Sequence, residues 1–491
     1  MTRPLASLRW DNSFARLEGE FFERVRPTAL PDPYLVAFNP DAAALLGLDP
    51  GAAGTEEFLA VMSGNGLLAS MDPVAAIYAG HQFGVWVPQL GDGRAILLGE
   101  VVTPSGSRWE IQLKGAGMTR FSRMGDGRAV LRSTIREYLA SEAMAGLGIP
   151  TTRALSITGS SLPVYRERAE TAAVLSRLAP SHVRFGSFEL FASRGMYHEV
   201  RTLADQVIAL HFPELAALPD EERHAAWFRE VVDRTARLMA QWTAVGFAHG
   251  VMNSDNMSIL GLTLDYGPYG WLDAYDPGFV CNHTDQAGRY AFNQQPRVGL
   301  WNCTRLADAL ASLVPEAPAL AALESYRGTF EEHIDRLMHA KLGWRTEEPD
   351  DLILQGELFS VLHREAVDYS RFFRALSHFD PAVPSSRRAV EAEAAAPGSI
   401  AVWLDRYAAR LEREASVTAE RQAGMLRVNP KFVLRNWIAQ EVIEAAEQGD
   451  FAPIESVRRL VAQPFDEHDE WERFAGPSPA GRVSVEVSCS S

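Results

Sequence analysis

Two hydrophobic rhythms divide this chain. Up to about Leu178 the apolar stretches are short and of strand length, whereas from about Phe188 they mostly recur at the spacing of one helix face. The run AILLGEVV ends at Val102, the alternating WEIQLK covers Trp109 to Lys114, and TPSGS between them has turn composition, which predicts a hairpin. Leu131, Ile135, Tyr138 and Leu139 then predict a helix that stops at Gly148 to Pro150, followed by strands at Leu162–Tyr165 and Ala172–Leu178. A strong amphipathic stretch from Ala226 to Val245 carries Trp227, Val231, Leu238 and Trp242. The expected class is α+β, with a smaller β-rich part before a larger helical one. We divide the chain at 1–80 (an extension with helical patterns around Phe14–Arg24 and Ala42–Leu46), 81–187 (β-rich), 188–390 (helical) and 391–491 (a helical C-terminal extension). The Ala-rich AVEAEAAAPGS reads as a linker.

With 491 residues, 47% of them apolar, the chain can bury a substantial core. The 63 acidic residues exceed the 47 basic ones and give a net charge of −16, which argues against nucleic acid as a partner. Three cysteines without CxxC spacing predict neither a disulfide scaffold nor a metal clip. No run approaches the ~18 apolar residues of a membrane span, so the expectation is a cytoplasmic protein with no membrane partner.

HGVMNSDNMSIL at His249–Leu260 and LDYG at Leu264–Gly267 carry the chemistry. Protein kinases place Asp two residues after such a histidine, Asn five residues later, and then a metal-binding Asp closely followed by Gly. His249, Asn256, Asp265 and Gly267 keep this pattern, but the base position is Val251, which cannot accept a proton. Asn256 and Asp265 supply the oxygen ligands a hard cation needs beside a triphosphate. His249 reads as a structural loop residue. Asp255 either replaces the missing carboxylate or is a loop acid outside the reaction.

A triphosphate also needs close backbone approach and fixed cations. The tetrapeptide GDGR occurs at Gly91–Arg94 and again at Gly125–Arg128; alone it reads more readily as a plain turn than as a phosphate loop. Lys114 lies 23 residues after Gly91 and 23 before Glu137, the spacing of a strand lysine paired with a helix glutamate, with Glu142 as the competing partner. Arg177 and Arg184 stand where strands give way to helices, and their guanidinium groups suit phosphate oxygens.

The segments YAGHQFGVWVPQLGDGRAILLGE, WEIQLKGAGMTRFSRMGDGRAVLRSTIREYLASEAM, GIPTTRAL, HGVMNSDNMSILGLTLDYGP and the terminal SCSS closely resemble the selenoprotein O family over nearly the whole chain. The resemblance implies a protein-kinase-like bilobal fold, a small β-rich N-lobe on a larger helical C-lobe with terminal extensions. It also implies adenylyl transfer: AMP moves from ATP to Ser, Thr or Tyr hydroxyls of proteins, with the nucleotide inverted relative to kinases. On that likeness Gly91, Gly93, Arg94, Lys114, Asp126, Gly127, Arg177 and Arg184 bind ATP, Asn256 and Asp265 hold Mg²⁺ or Mn²⁺, and Asp255 accepts the proton. Asp265 also contributes to the nucleotide site, and Glu137 matches the helix glutamate. The family tail implies a redox pair, for which Cys281 and Cys489 are the candidates. Two other readings stand beside this one: γ-phosphoryl transfer by a divergent kinase, and a non-catalytic, redox-reporting ATP binder. The segment Asp276–Leu300, with Arg289 and Arg297, is where an acceptor would dock.

Overall fold

The hairpin at the centre of the sequence pattern is also the centre of the sheet. The structure, a computed structural model, describes residues 2–479 and Val487. Strands Ala95–Val102 and Arg108–Lys114 pair antiparallel with Ala95 opposite Lys114. Thr103 N donates to Ser107 O at 2.9 Å to close the turn.

Around this pair the sheet runs Phe22–Arg24, Val74–Ala76, Ala95–Val102, Arg108–Lys114, Ala169–Ala179, Arg153–Tyr165, Tyr34–Phe38, with Ala129–Val130 pairing off Ala169–Ala179. Three of these strands come from the first eighty residues. The helical pattern at Phe14–Arg24 resolves into a 3₁₀ turn, Phe14–Arg16, and the strand Phe22–Arg24, because Phe22 pairs with Ala76. Asn39 ties this segment to the sheet. Its Oδ1 accepts from Asp41 N and Ala42 N to start helix Pro40–Leu46, while Nδ2 donates to Ala154 O at 2.9 Å.

Strand Arg153–Tyr165 begins nine residues before the predicted Leu162. Its first half is buried on both faces, between helix Leu131–Gly146 and helices Pro40–Leu46 and Glu56–Met62, so no alternation marks it.

Helix Leu131–Gly146 is buried around most of its circumference although it carries Arg136, Glu137 and Glu142. Buried charges persist only when paired. Arg136 donates to Tyr269 O at 3.2 Å and Glu142 takes Arg153 in a bidentate pair at 2.9 and 2.6 Å. Glu137 turns to the cleft.

Beyond helix Phe185–Ser193 the structure is mainly helical. Helix Asp220–Ala244 opens with Asp220, Glu221 and Glu222, which favour its positive end, and buries Trp227, Val231, Leu238 and Trp242 as its periodicity predicts. It leads into strand Phe247–Ala248, which pairs with Gly270–Trp271 and clamps the ends of the His249 loop. The Ala-rich segment read as a linker joins helices Pro384–Glu391 and Pro397–Arg413: its ends belong to these helices, and residues 392–396 form the non-helical connection between them. Among the described residues no helix is long and apolar enough to cross a membrane. The architecture is α+β and kinase-like, sheet-rich first and helical after.

Candidate active site

Between the sheet and the first helices lies a cavity of about 590 Å³ lined by both GDGR loops, Lys114, Glu137, Arg177 and the loop that runs from Val251 to Asp265. Gly91 takes φ +142°, and a Cβ there would stand 2.5 Å from the Phe121 ring, so this position requires glycine. Asp92 borders the cavity but is committed to the sheet. Its buried Oδ2 accepts from Ala76 N at 3.2 Å and Gln112 Nε2 at 3.1 Å, which pins the loop to the sheet. This GDGR therefore precedes a strand and is not the turn of a hairpin. In the second copy, Arg166 grips both oxygens of Asp126 at 2.8 Å and holds its carboxyl down at about 2. Gly127, at φ +70°, packs on the backbone of Gly117.

Three cations converge on Asp265. Arg177 Nη1 donates to its Oδ1 at 2.5 Å, Arg184 Nη1 to its Oδ2 at 2.6 Å, and Lys114 Nζ lies 3.4 Å from Oδ1. Burial alone would raise the Asp265 pKa, but Arg177, Arg184 and Lys114 outweigh it and hold the group well below the usual carboxylate range. Lys114 also binds Glu137, whose other oxygen accepts from Arg177 at 3.1 Å. Glu142 is committed to Arg153, so Glu137 is the partner of Lys114. Burial lowers the Lys114 pKa against the pull of Glu137 and Asp265. Three fixed positive charges against two carboxylates leave the cluster net cationic.

The loop itself is rigidly held. His249 accepts no role at the cavity wall: its ring stacks on Trp242, Nε2 donates to Leu264 O at 2.8 Å, and burial lowers its pKa. It is structural, and it sets the span between Asn256 and Asp265. Val251 lines the cavity where a kinase would carry its base. The 3₁₀ turn Ser254–Asn256 presents the next two residues. Asp255 accepts from Gln82 Nε2 at 3.2 Å through Oδ2, and its buried Oδ1 has no hydrogen-bond partner. Burial pushes its carboxyl up to about 7. Asn256 Nδ2 donates to Val251 O at 3.1 Å, which fixes the amide and leaves its oxygen as the atom for a cation.

Asn256 and Asp265 both line the cavity and offer oxygen ligands only. Such a set fits a hard divalent ion that completes its shell with phosphate and water. Among the described residues no group of three or more His, Cys, Asp or Glu forms a self-sufficient metal cage.

Gly91, Gly93, Arg94, Lys114, Asp126, Gly127, Glu137, Arg177, Asp255, Asn256 and Asp265 all line this one cavity. Arg184 stands behind it, reaching Asp265 and Asp255 O, with its guanidinium 4.6 Å from the Tyr78 ring. Cys281 is apart from the cluster. Its thiol is buried and donates to Pro268 O at 2.9 Å, beneath the loop. Val487 O accepts from His283 N at 3.1 Å nearby, while Cys489 lies outside the described residues.

Sequence reasoning missed Gln112, which accepts from Arg177 Nε at 2.7 Å, as well as Tyr78, Gln82, Arg166 and Gly80. Only the unusual YAGHQFG stretch around Gly80 and Gln82 offered a signal.

A family model described as "Protein adenylyltransferase SelO" matches residues 4–462. The "Protein nucleotidyltransferase YdiU" of Myxococcus xanthus is 55% identical over 487 residues, covering 99% of each chain. The protein of that name from Thioalkalivibrio sulfidiphilus is 56% identical over 494 residues, again 99% of each. That from Thiobacillus denitrificans is 51% identical over 488 residues with the same coverage.

Proposed function

The chain belongs to the family described as protein adenylyltransferase SelO, and we propose that it moves AMP from ATP to Ser, Thr or Tyr hydroxyls of other proteins and releases pyrophosphate. The observation that supports this is that Lys114, Arg177 and Glu137 line one cavity with Val251 and with the buried carboxylate of Asp255, which Gln82 holds. A cluster of Lys114, Arg177 and Arg184 suits a polyanion, and a γ-phosphoryl transfer would call for a carboxylate at the position Val251 occupies.

In the proposed step the acceptor hydroxyl gives its proton to Asp255 as its oxygen bonds to the α-phosphorus. The bond between that phosphorus and the α–β bridging oxygen breaks, and the bridging oxygen leaves with pyrophosphate. Lys114 and Arg177 hold the phosphate oxygens, Glu137 fixes both cations in place, and the glycines at 91 and 93 let the backbone approach. Mg²⁺ or Mn²⁺ held by Asn256 and Asp265 would supply charge neutralisation at the phosphates. Gln82 orients the Asp255 carboxylate so that Oδ1 remains for the proton.

ATP labelled at the α-phosphate should mark an acceptor protein or the enzyme itself, ATP labelled at the γ-phosphate should not, and Asp265→Ala should abolish the mark. Transfer of γ label would replace this reading with phosphoryl transfer.

A further inference from the structure

Asp265 has a left-handed backbone, with φ +54°. A residue with a Cβ seldom takes this conformation, and it persists only where the surroundings impose it. Among the described residues neither Asp265 nor Tyr266 makes a main-chain to main-chain hydrogen bond, so the turn is fixed by side chains and by its neighbours. On the preceding side, Leu264 O accepts from His249 Nε2 at 2.8 Å. Thr263 is pinned further back: its N and Oγ1 donate to Pro150 O at 2.9 and 3.0 Å, and Oγ1 accepts from Trp242 Nε1 at 3.0 Å.

On the following side the fastening is Tyr266. Its buried hydroxyl is hydrogen-bonded to Thr151 Oγ1, with the Thr263 hydroxyl as a second polar neighbour. Thr151 belongs to the connection that leads from helix Leu131–Gly146 into strand Arg153–Tyr165, and it bridges Thr263 in parallel register, with Thr152 N donating to Thr263 O at 3.2 Å. The bond therefore ties the backbone of Asp265 to the entry of a central strand. The Tyr266 ring packs among Phe247, His249 and Tyr269, with centroids 6.4, 6.5 and 5.8 Å away. Phenylalanine would satisfy that packing equally well. The hydroxyl is what packing does not call for, and its burial is costly without a partner.

We propose that Tyr266 and Thr151 are positioning residues, whose hydroxyl bond keeps the Asp265 carboxylate in the cleft when bound nucleotide draws its cationic partners away. The proposal rests on the adenylyl-transfer reading for that last step. In the free chain Arg177, Arg184 and Lys114 all reach the carboxylate. When Lys114 and Arg177 turn to phosphate oxygens, their hold on Asp265 weakens at the moment its position matters. The Tyr266 bond does not compete with phosphate, because it lies on the next side chain and is buried against the sheet. The backbone conformation then carries the placement of the carboxylate.

The test is amide hydrogen exchange of the full chain, with and without saturating ATP, followed in peptides that contain Thr152, Thr263 and Tyr269, whose amides are hydrogen-bonded around this turn. With ATP, Tyr266→Phe should speed exchange there about five- to tenfold and Thr151→Val at least about threefold, while Thr151→Ser, which keeps the hydroxyl, should match wild type. The acceleration should be smaller without ATP. In transfer of α label, kcat should fall by about the same factors, and adding Thr151→Val to Tyr266→Phe should slow the enzyme no further. Tyr407→Phe is the stability control, since it removes another buried hydroxyl, bonded to Leu342 O at 2.6 Å among the C-terminal helices. It should lower the thermal midpoint comparably and leave both the exchange around Asp265 and kcat unchanged. The proposal is overturned if Tyr266→Phe exchanges like wild type in these peptides, or if Thr151→Ser is as impaired as Thr151→Val. A wild-type chain that transfers no α label would sink the transfer reading instead, and the exchange pattern would still decide whether the hydroxyl bond holds the turn.

Discussion

Gly80→Ala is a one-carbon probe of the base. A Cβ at Gly80 would stand 2.7 Å from Asp255 Oδ1, 2.9 Å from its Cβ and 3.0 Å from its backbone nitrogen. Rotating the Asp255 side chain relieves only the first of these contacts. The turn must move as a unit, by roughly 0.5 Å, against His81 N bonded to Ser254 Oγ at 2.7 Å and Arg184 bonded to Asp255 O at 2.8 Å. Misplacement on the order of 1 Å costs about 10²-fold in rate, so the expected loss in kcat is about 10- to 10²-fold, up to about 2.7 kcal/mol of barrier. KM for ATP should change little, because Lys114 and Arg177 do not touch Gly80. Overpacking should cost about 1–3 kcal/mol of stability. The assay is initial-rate transfer of α label with a thermal-shift check of ATP binding, run also on Asp255→Asn and the double variant. If Gly80 acts through Asp255, the double variant is no slower than Asp255→Asn alone. A Gly80→Ala enzyme with kcat near wild type, or losses that simply add, would refute the assignment of Asp255.

The two helix glutamates should separate in the same assay. Glu137→Gln strands two buried cations and should cost about 3 kcal/mol of stability together with at least about tenfold in transfer, whereas Glu142→Gln should cost comparable stability through Arg153 and leave kcat intact. Equal effects on kcat would dissolve the distinction. Lys341 offers a pH test of stability. It is buried, donates to Asn429 Oδ1 at 2.9 Å and packs 4.3 Å from the Phe373 ring, and burial lowers its pKa to about 7. Between pH 7 and the ordinary lysine value the unfolded chain holds a proton that the folded chain has lost, so stability rises with pH in that window. Relative to Lys341→Met, denaturant unfolding should show the wild type gaining about 2 kcal/mol between pH 7 and 9. Parallel pH profiles for the two proteins would contradict a low pKa.

Local pattern carried the hairpin, helix Leu131–Gly146 and the spacing of Asn256 and Asp265, because each is set within a few turns of chain. The choice between Glu137 and Glu142 was different. The two sit five residues apart on one helix, and only the placement of Arg153 on the neighbouring strand decides which of them faces Lys114. Gln112 and Arg177 meet because Ala169–Ala179 pairs with Arg108–Lys114, a register that no single segment encodes. Arg166 reaches Asp126 from 40 residues away, and Gln82 reaches Asp255 across 173. Residues that position others through such closures have no motif of their own.

The order of strands in the sheet has a consequence for how the protein is made. Its two outermost strands, Phe22–Arg24 and Tyr34–Phe38, both come from the first tenth of the chain and emerge from the ribosome before any strand they will cover. The same short segment therefore acts as a selvedge on both margins, blocking the open backbone donors and acceptors that would otherwise recruit a second sheet. A chain missing those residues would lose both guards together, and its cleft would be carried on a sheet prone to stick edge to edge.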